Sequence, residues 1–223
     1  MKIETITTPF VLNISVNCYL IHLEDGFILI DTAKAGQRQA VEAALERAGC
    51  TPGRLKLIVL THGDFDHCGN AAYLRRKFGS QIALHGDDIG MGRDGNMFYN
   101  RKQPNPILKP IFGLIFALPE ADRFTPDVLL KGGDDLAAYG FGATVIELPG
   151  HCKGNVGLLT PEGDLFCGDL LGNTGKPAVW SLVDDKAAMA ASVEKLKGYP
   201  ITTVYPGHGA AFPISAFWAG QGN

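Results

Sequence analysis

Short apolar runs and helical patterns alternate along the chain, and their spacing predicts the secondary structure. Residues 18–22 and 27–30 are apolar, and the Glu-Asp-Gly turn between them predicts an antiparallel hairpin. Apolar runs at 55–60 and 81–85 predict two buried strands. Apolar residues at helical spacing predict three helices, over 37–48 and 69–78, closed by Gly49 and Gly79, and over 186–197, capped by Asp184 or Asp185.

The hairpin pattern occurs twice. Residues 20–31 align without gaps on residues 158–169, and each segment ends in an aspartate. A helical segment, an apolar strand and a histidine follow each aspartate, ending at His62 in the first half and at His208 in the second. Such a duplication predicts two similar sheets packed face to face with helices outside. Equivalent strands should then end along one edge, where residues from both halves can meet.

Residues 86–126 interrupt this repeat and are rich in glycine and proline. Residues 104–118 hold an apolar run that is too short for a membrane span, which needs about 20 residues. Its side chains exceed what an exposed loop leaves in water, so the segment is predicted to be core, a homodimer contact or a lid that sets substrate choice. The apolar residues are Ile107, Leu108, Ile111, Phe112, Leu114, Ile115 and Phe116.

Composition narrows the function classes. The chain has 223 residues, 19% of them charged, with a net charge of -3, which is ordinary for one α/β domain over residues 1–223. No basic patch supports nucleic-acid binding. The first residues lack a secretory apolar run, and the 5 cysteines are scattered without C-x-x-C spacing, which favours buried thiols in a reducing cytoplasm. We expect a cytoplasmic protein with a small-molecule substrate and neither nucleic-acid nor membrane partners.

Histidine and aspartate are concentrated at residues 60–67, Leu-Thr-His-Gly-Asp-Phe-Asp-His, between a predicted strand and a predicted helix. Imidazole and carboxylate bind borderline and hard divalent cations. Aspartates also cap helices, and His62 could be an ordinary hydrogen-bonded polar residue. Three later segments make a metal site the better interpretation: residues 148–151, Leu-Pro-Gly-His; residues 166–169, Phe-Cys-Gly-Asp; and residues 205–208, Tyr-Pro-Gly-His.

These four segments, in this order, resemble the motifs of the metallo-β-lactamase superfamily, whose hallmark is His-x-His-x-Asp-His after a strand. The resemblance runs from the first quarter of the chain nearly to its end, and it implies an α/β fold, the αββα four-layer sandwich built from two pseudo-repeats. It also implies two divalent metal ions, one held by His62, His151 and Asp64, the other by Asp66, His67 and His208, with Asp169 bridging both.

Asp64 departs from the family motif, which has a histidine at this position. A carboxylate adds negative charge and a hard oxygen, which moves the preference from zinc toward iron or manganese, although zinc also accepts carboxylates. The flavodiiron branch of the superfamily looks similar, with a glutamate here and a di-iron site. Aspartate is shorter by one methylene, so Asp64 reaches a metal either directly or through water.

The resemblance implies metal-assisted hydrolysis, in which a hydroxide that bridges the metals, oriented by Asp66, attacks a carbonyl or phosphoryl centre. The apolar insertion and the lack of a basic face favour a small ester, thioester or lactone. Two alternatives stay open: a di-iron redox protein whose redox partner is a separate protein, and a non-catalytic binding module.

Further residues are assigned supporting roles. His22 is interpreted as structural, His85 as a support for a ligand and Asp31 as a support for the loop at 60–67. The candidate substrate contacts are Tyr99, Arg101, Lys176 and Trp180.

Overall fold

The structure, a computed structural model, describes residues 1–11, 13–103, 105–108, 110–111, 113 and 116–221. Its strands, in chain order, are β1 Lys2–Val11, β2 Ile14–His22, β3 Phe27–Ile30, β4 Leu55–Val59, β5 Gln81–His85, β6 Val128–Leu130, β7 Thr144–Glu147, β8 Val156–Leu159, β9 Asp164–Gly168, β10 Leu171–Gly172, β11 Ala178–Val179, β12 Thr203–Pro206 and β13 Phe212–Pro213. They form a six-stranded sheet ordered β1-β2-β3-β4-β5-β6, a five-stranded sheet ordered β13-β12-β9-β8-β7, and a small β10-β11 pair.

The α-helices described are α1 Arg38–Arg47, α2 Phe65–Cys68, α3 Ala71–Phe78, α4 Ile89–Asp94, α5 Lys186–Lys195 and α6 Ile214–Gln221. Helix α3 ends at Gly79, which takes the left-handed conformation that glycine adopts without a Cβ clash. Helix α5 begins at Asp185, whose side chain accepts hydrogen bonds from the backbone of Ala187 and Ala188. Asp185 is therefore the cap of this helix.

Side chains point to alternate faces along the buried strands, so each sheet packs on both sides and the fold has four layers. On β3 and β4, Ile28, Ile30, Leu57 and Val59 pack in the cluster between the two sheets, whereas Leu29 and Ile58 face the opposite side. That side is covered by α1 and α3 through Val41, Leu45, Leu74 and Phe78. The second sheet packs its outer face against α5 and α6, through Met189 and Phe217. The predicted αββα sandwich is confirmed, and strands buried on both faces explain the continuous apolar runs.

The predicted duplication is present in the strand pairing. Strands β2 and β3 pair antiparallel and β3 then pairs parallel with β4. Strands β8 and β9 pair antiparallel and β9 then pairs parallel with β12. Because parallel strands end on the same side of a sheet, the segments after β3, β4, β9 and β12 emerge along one edge of the sandwich.

Two elements differ from the sequence analysis. The predicted helix at 69–78 corresponds to α3, which begins at Ala71, and a separate short helix, α2, precedes it at Phe65–Cys68. Between the two helices, the Asn70 side chain donates to the backbone carbonyls of Thr32 and Lys34. Strand β1 has no continuous apolar run, and only Ile6 and Thr8 of it are buried. It forms a strand because it pairs with β2, and its local hydrophobic pattern does not predict it.

The insertion at 86–126 is partly core. Met97, Leu118 and Phe124 are buried in the cluster under α1 and α3. Ile107, Leu108 and Ile111 are exposed, whereas Phe112, Leu114 and Ile115 lie outside the described residues. A homodimer through this segment stays a prediction. Within the described ranges, every helix is too short or too polar to cross a bilayer.

Candidate metal centre

The seven motif side chains meet at the edge where the strands end. They form three overlapping groups in which the ligand atoms lie within 4.8 Å of one another. All but Asp64 are buried, which is rare for aspartate without a partner. The groups are His62, Asp64 and His151; Asp66, His67 and His208; and His62, His67 and Asp169.

Asp169 lies between the two predicted metal positions. Its Oδ2 atom is 3.7 Å from His151 Nε2 and 3.2 Å from His208 Nε2, and its Oδ1 atom is 3.5 Å from His67 Nε2. Two ligands bound to one ion at about 2 Å each are roughly 3–3.5 Å apart. The separations therefore suit a carboxylate that faces histidines of both groups.

Each of the four histidines is oriented through its Nδ1 atom. The Nδ1 atoms of His151 and His208 lie 2.7 Å from the carbonyl oxygens of Leu182 and Ser15, so they carry the proton and donate it. This places Nε2 on the side of the cluster, where it can bind a metal once any proton on it has left.

The loop at 60–67 orients His62 and His67 through Asp31. The Thr61 hydroxyl donates to Asp31 and therefore accepts from His62 Nδ1 at 3.0 Å. His67 Nδ1 donates directly to Asp31 Oδ2 at 2.9 Å. The interpretation of Asp31 as a support for this loop is confirmed.

Three polar atoms of the cluster are buried and lack a hydrogen-bond partner among the described residues: His62 Nε2, His67 Nε2 and Asp169 Oδ1. An orphaned polar atom in a protein interior is costly, because its desolvation is uncompensated. All three belong to groups of lone pairs directed at one another. Imidazole and carboxylate lone pairs arranged in this way fit divalent metal ions, and they do not fit an ordinary hydrogen-bonded histidine.

The acidic cluster changes the protonation of its members. Burial opposes charge on His67, but Asp169, Asp31 and Asp66 outweigh it and raise the pKa of His67 to about 10. Burial also favours the neutral form of Asp169, yet His208 and His67 hold its pKa below the usual range. Burial raises the pKa of Asp66. Without a metal, His67 therefore holds a proton that neutralises part of the negative charge.

Asp64 does not cap the helix that it precedes, since its side chain makes no capping hydrogen bond. Instead, its Oδ2 atom lies 2.8 Å from His151 Nε2 and 3.6 Å from His62 Nε2. Arg101 binds both oxygens, with Nη1 2.5 Å from Oδ1 and Nη2 3.1 Å from Oδ2. Burial opposes ionisation, but Arg101 and His151 hold the pKa of Asp64 well below its usual range. The carboxylate is therefore ionised and reaches the cluster directly.

Asp88 is a site residue that the sequence analysis missed. This fully buried carboxylate accepts from the backbone of Gly63 and of Gly154 at 3.0 Å each, and from Cys152 Sγ at 3.1 Å. It thereby joins the loop that carries His62 to the loop that carries His151. The signal was present, because Asp88 follows the end of parallel strand β5, at the same edge as the ligands.

Some of the remaining residue assignments agree with the structure and others do not. His22 pairs with Glu4 of β1 and is structural as expected. The expectation for His85 is wrong, because its nitrogens face Asp87 and Glu147 and no ligand candidate. Cys68, Cys152 and Cys167 are buried, as the sequence analysis expected, and burial raises the pKa of each thiol, which keeps it neutral.

A cavity of about 390 Å³ opens onto the cluster. Of the four predicted substrate contacts, Arg101 and Trp180 line it and Tyr99 and Lys176 do not. Trp180 stacks on His208, with ring centroids 4.3 Å apart, so it also packs against a candidate ligand. The insertion supplies one wall, and most of the lining is apolar: Phe10, Phe65, Met97, Phe98, Phe116, Trp180, Leu182 and Val183.

Comparison with curated proteins returns hydrolases among the relatives. A hydroxyacylglutathione hydrolase of Anaeromyxobacter dehalogenans is 31% identical over 186 residues, which cover 79% of this chain and 56% of that protein. The hydroxyacylglutathione hydrolase GloC of Haemophilus influenzae is 32% identical over 119 residues, 52% of this chain and 50% of that protein. The chain thus spans about half the length of these curated relatives.

Solved structures share the architecture. The protein TTHA1623, solved in a di-iron-bound form, is 28% identical with a TM-score of 0.69, and 92% of each chain is covered. The BLEG-1 B3 metallo-β-lactamase, 23% identical with a TM-score of 0.74 over 96% of this chain and 95% of that one, shares the fold. A model of the metallo-β-lactamase superfamily matches residues 13–208, which contain all seven clustered side chains. The chain belongs to the metallo-β-lactamase superfamily.

Proposed function

We propose that this protein is a metal-dependent hydrolase with a dinuclear centre, acting on a small ester, thioester or lactone. One observation carries the proposal: buried imidazole Nε2 and carboxylate oxygen atoms, some of them without a hydrogen-bond partner in the described part of the chain, converge at the floor of an apolar cavity. The first metal position would use His62, Asp64 and His151. The second would use Asp66, His67 and His208, and Asp169 would bridge the two.

When bound, the divalent ions would supply a Lewis acid for the substrate oxygen and lower the pKa of water to near neutrality. The chain's own residues do the positioning. Asp66 lines the cavity, and its Oδ2 atom is 3.7 Å from His208 Nε2. Its carboxylate would hold the attacking water through the lone pairs that a metal leaves free. The Nδ1 contacts of the four histidines hold their rings still during the reaction.

The metal is expected to be iron or manganese, with zinc as the alternative. Asp64 supplies a hard oxygen in place of an imidazole, which favours the harder ions. The di-iron-bound form of TTHA1623 supports the same choice.

The substrate class follows from the cavity wall and from the relatives. Aromatic and aliphatic side chains form most of the wall, which suits an apolar acyl or leaving group. The relatives that act on hydroxyacylglutathione support a thioester within this class.

The test begins with elemental analysis of protein produced without added metal, followed by assays on acyl thioesters, aryl esters and lactones. We expect about two metals per chain and hydrolysis that Asp66→Asn reduces by at least 100-fold. The matched control is Asp25→Asn, an exposed aspartate that pairs with Lys56. Bound metal without hydrolysis of any substrate, together with reversible changes in visible absorbance, would favour the di-iron redox protein. A chain that binds no metal would favour the non-catalytic module.

A further inference from the structure

The insertion at 86–126 reaches the metal centre through one ion pair. Arg101 and Asp64 form a two-point contact whose members are largely buried, with 13% and 14% of their side chains exposed. The third guanidinium nitrogen, Nε, is buried and has no hydrogen-bond partner among the described residues. Both terminal nitrogens of the guanidinium therefore face the Asp64 carboxylate.

The same carboxylate has a second side that faces the histidines. Asp64 Oδ2 is close to both His151 Nε2 and His62 Nε2, whereas Oδ1 points to Arg101. A carboxylate held by a planar, two-pronged cation has one orientation left. This orientation is the one that presents Oδ2 to the first metal position.

We propose that Arg101 is a positioning residue for the first metal: it fixes Asp64 as an oxygen ligand and cancels the charge that replacing a histidine by an aspartate introduces. An Asp–Arg pair is formally neutral, as is the imidazole of the family motif. The hard oxygen is kept, while the surplus negative charge is removed from a cluster that already holds Asp66 and Asp169.

The backbone around Arg101 is fixed to both halves of the molecule. Arg101 Nη1 also lies 3.3 Å from the Met97 carbonyl, and the backbone N–H of Lys102 donates to Asp184 Oδ1 at 2.8 Å. Asp64 precedes α2 in the first half, and Asp184 precedes α5 in the second. Residues 97–102 therefore contact both halves beside the metal centre, the first through the Arg101–Asp64 ion pair and the second through Asp184.

The test compares metal affinity in the wild type and four variants by chelator competition, and it rests on the proposed metal centre. Arg101→Met removes the cation, and Arg101→Lys keeps the charge but loses the two-point contact. Arg93→Met is the control, because Arg93 forms a two-point pair with Asp94 in the same insertion, exposed at the surface. Asp64→His with Arg101→Met restores the family motif and removes the need for the cation.

We expect Arg101→Met to weaken one metal equivalent by about 10- to 100-fold, the usual effect of losing a partner of a ligand. Arg101→Lys should lie between it and the wild type, Arg93→Met should bind as the wild type, and the double variant should regain affinity.

Unchanged affinity in Arg101→Met with a raised KM would overturn the proposal in favour of a substrate contact. Tighter binding in Arg101→Met would also overturn it, since Arg101 would then compete with the metal for Asp64. If the wild type itself binds no metal, the proposed function fails instead. Circular dichroism of each variant confirms folding, and Arg101→Lys decides if Arg101→Met does not fold.

Discussion

Asp31 Oδ2 lies 2.9 Å from His67 Nδ1, which joins the end of β3 to the helix that follows β4. The same aspartate accepts from the backbone N–H and the hydroxyl of Thr61, both at 2.8 Å. One carboxylate thus fixes the proton on Nδ1 of His67 and the path of the loop that carries His62. Asp31 holds this place in the left-handed conformation, with a φ of 58°.

Asp31→Asn is expected to weaken metal binding by about 10- to 100-fold, because the amide cannot accept from all three donors. Chelator competition measures the effect. Asp25→Asn, before the other end of β3, is the control. Equal affinity in the two variants would mean that Asp31 shapes the loop without tuning the ligand.

A dinuclear centre predicts selective loss of one ion. His67→Ala and His208→Ala should each lower the metal content from about two equivalents to about one, because both histidines belong to one ligand group. His22→Ala, on β2 and paired with Glu4, should keep the wild-type content. A wild type with one metal, unaffected by either change, would contradict the prediction.

Asp64→His alone is expected to destabilise the metal-free protein by about 3 kcal/mol, since it leaves the Arg101 cation buried and unpaired. Adding Arg101→Met should recover most of the loss, and the double variant should retain zinc better than iron or manganese. Urea unfolding and competition between metals measure the two effects. Identical metal selectivity in the wild type and the double variant would show that Asp64 does not bind metal.

Metal affinity should rise with pH. The pKa of His67 is raised to about 10, and nearby carboxylates also raise the pKa of His151 and His208. His67 is therefore protonated at neutral pH in the metal-free protein, and the raised pKa of His151 and His208 favours their protonated forms. A metal must displace these protons, so the apparent affinity falls as pH falls. Calorimetric titrations in buffers of different ionisation enthalpy should give different binding enthalpies. Buffer-independent enthalpies would contradict this.

The insertion is expected to cover the substrate. Phe98→Ala removes part of the cavity wall and should raise KM by about tenfold for long-chain acyl thioesters, the loss of roughly 1.4 kcal/mol of apolar contact. Metal content should not change. The control is Ile107→Ala, in the same insertion but 81% exposed. If size-exclusion chromatography instead shows that Ile107→Ala converts dimers to monomers, the segment is a dimer contact.

The strands β3, β4 and β5 and the helices α1 and α5 could be predicted from the sequence nearly to their ends. Strands buried on both faces are apolar throughout, and helices with one buried side have apolar residues every three to four positions. These elements can therefore be predicted from the local sequence. The duplicated hairpins also placed Asp169, His62 and His208 at one edge, and the resemblance to the superfamily motifs supplied the remaining clustered residues. Asp64 lies in the same motif, but the motif does not reveal which residue forms an ion pair with its side chain.

The partner of Asp64 was decided by tertiary structure alone. Arg101 is 37 positions away, in an insertion without hydrophobic periodicity, and the sequence around it does not predict an ion pair. The position of Asp88 after β5 could be read from the sequence, but its contacts with two loops, at residues 25 and 66 positions away, could not. A short-range pattern records which face of a strand or helix is buried, because that depends on neighbours in the chain. The charge balance and the orientation of a buried carboxylate depend on groups brought together by the packing of two sheets, and these leave no local trace.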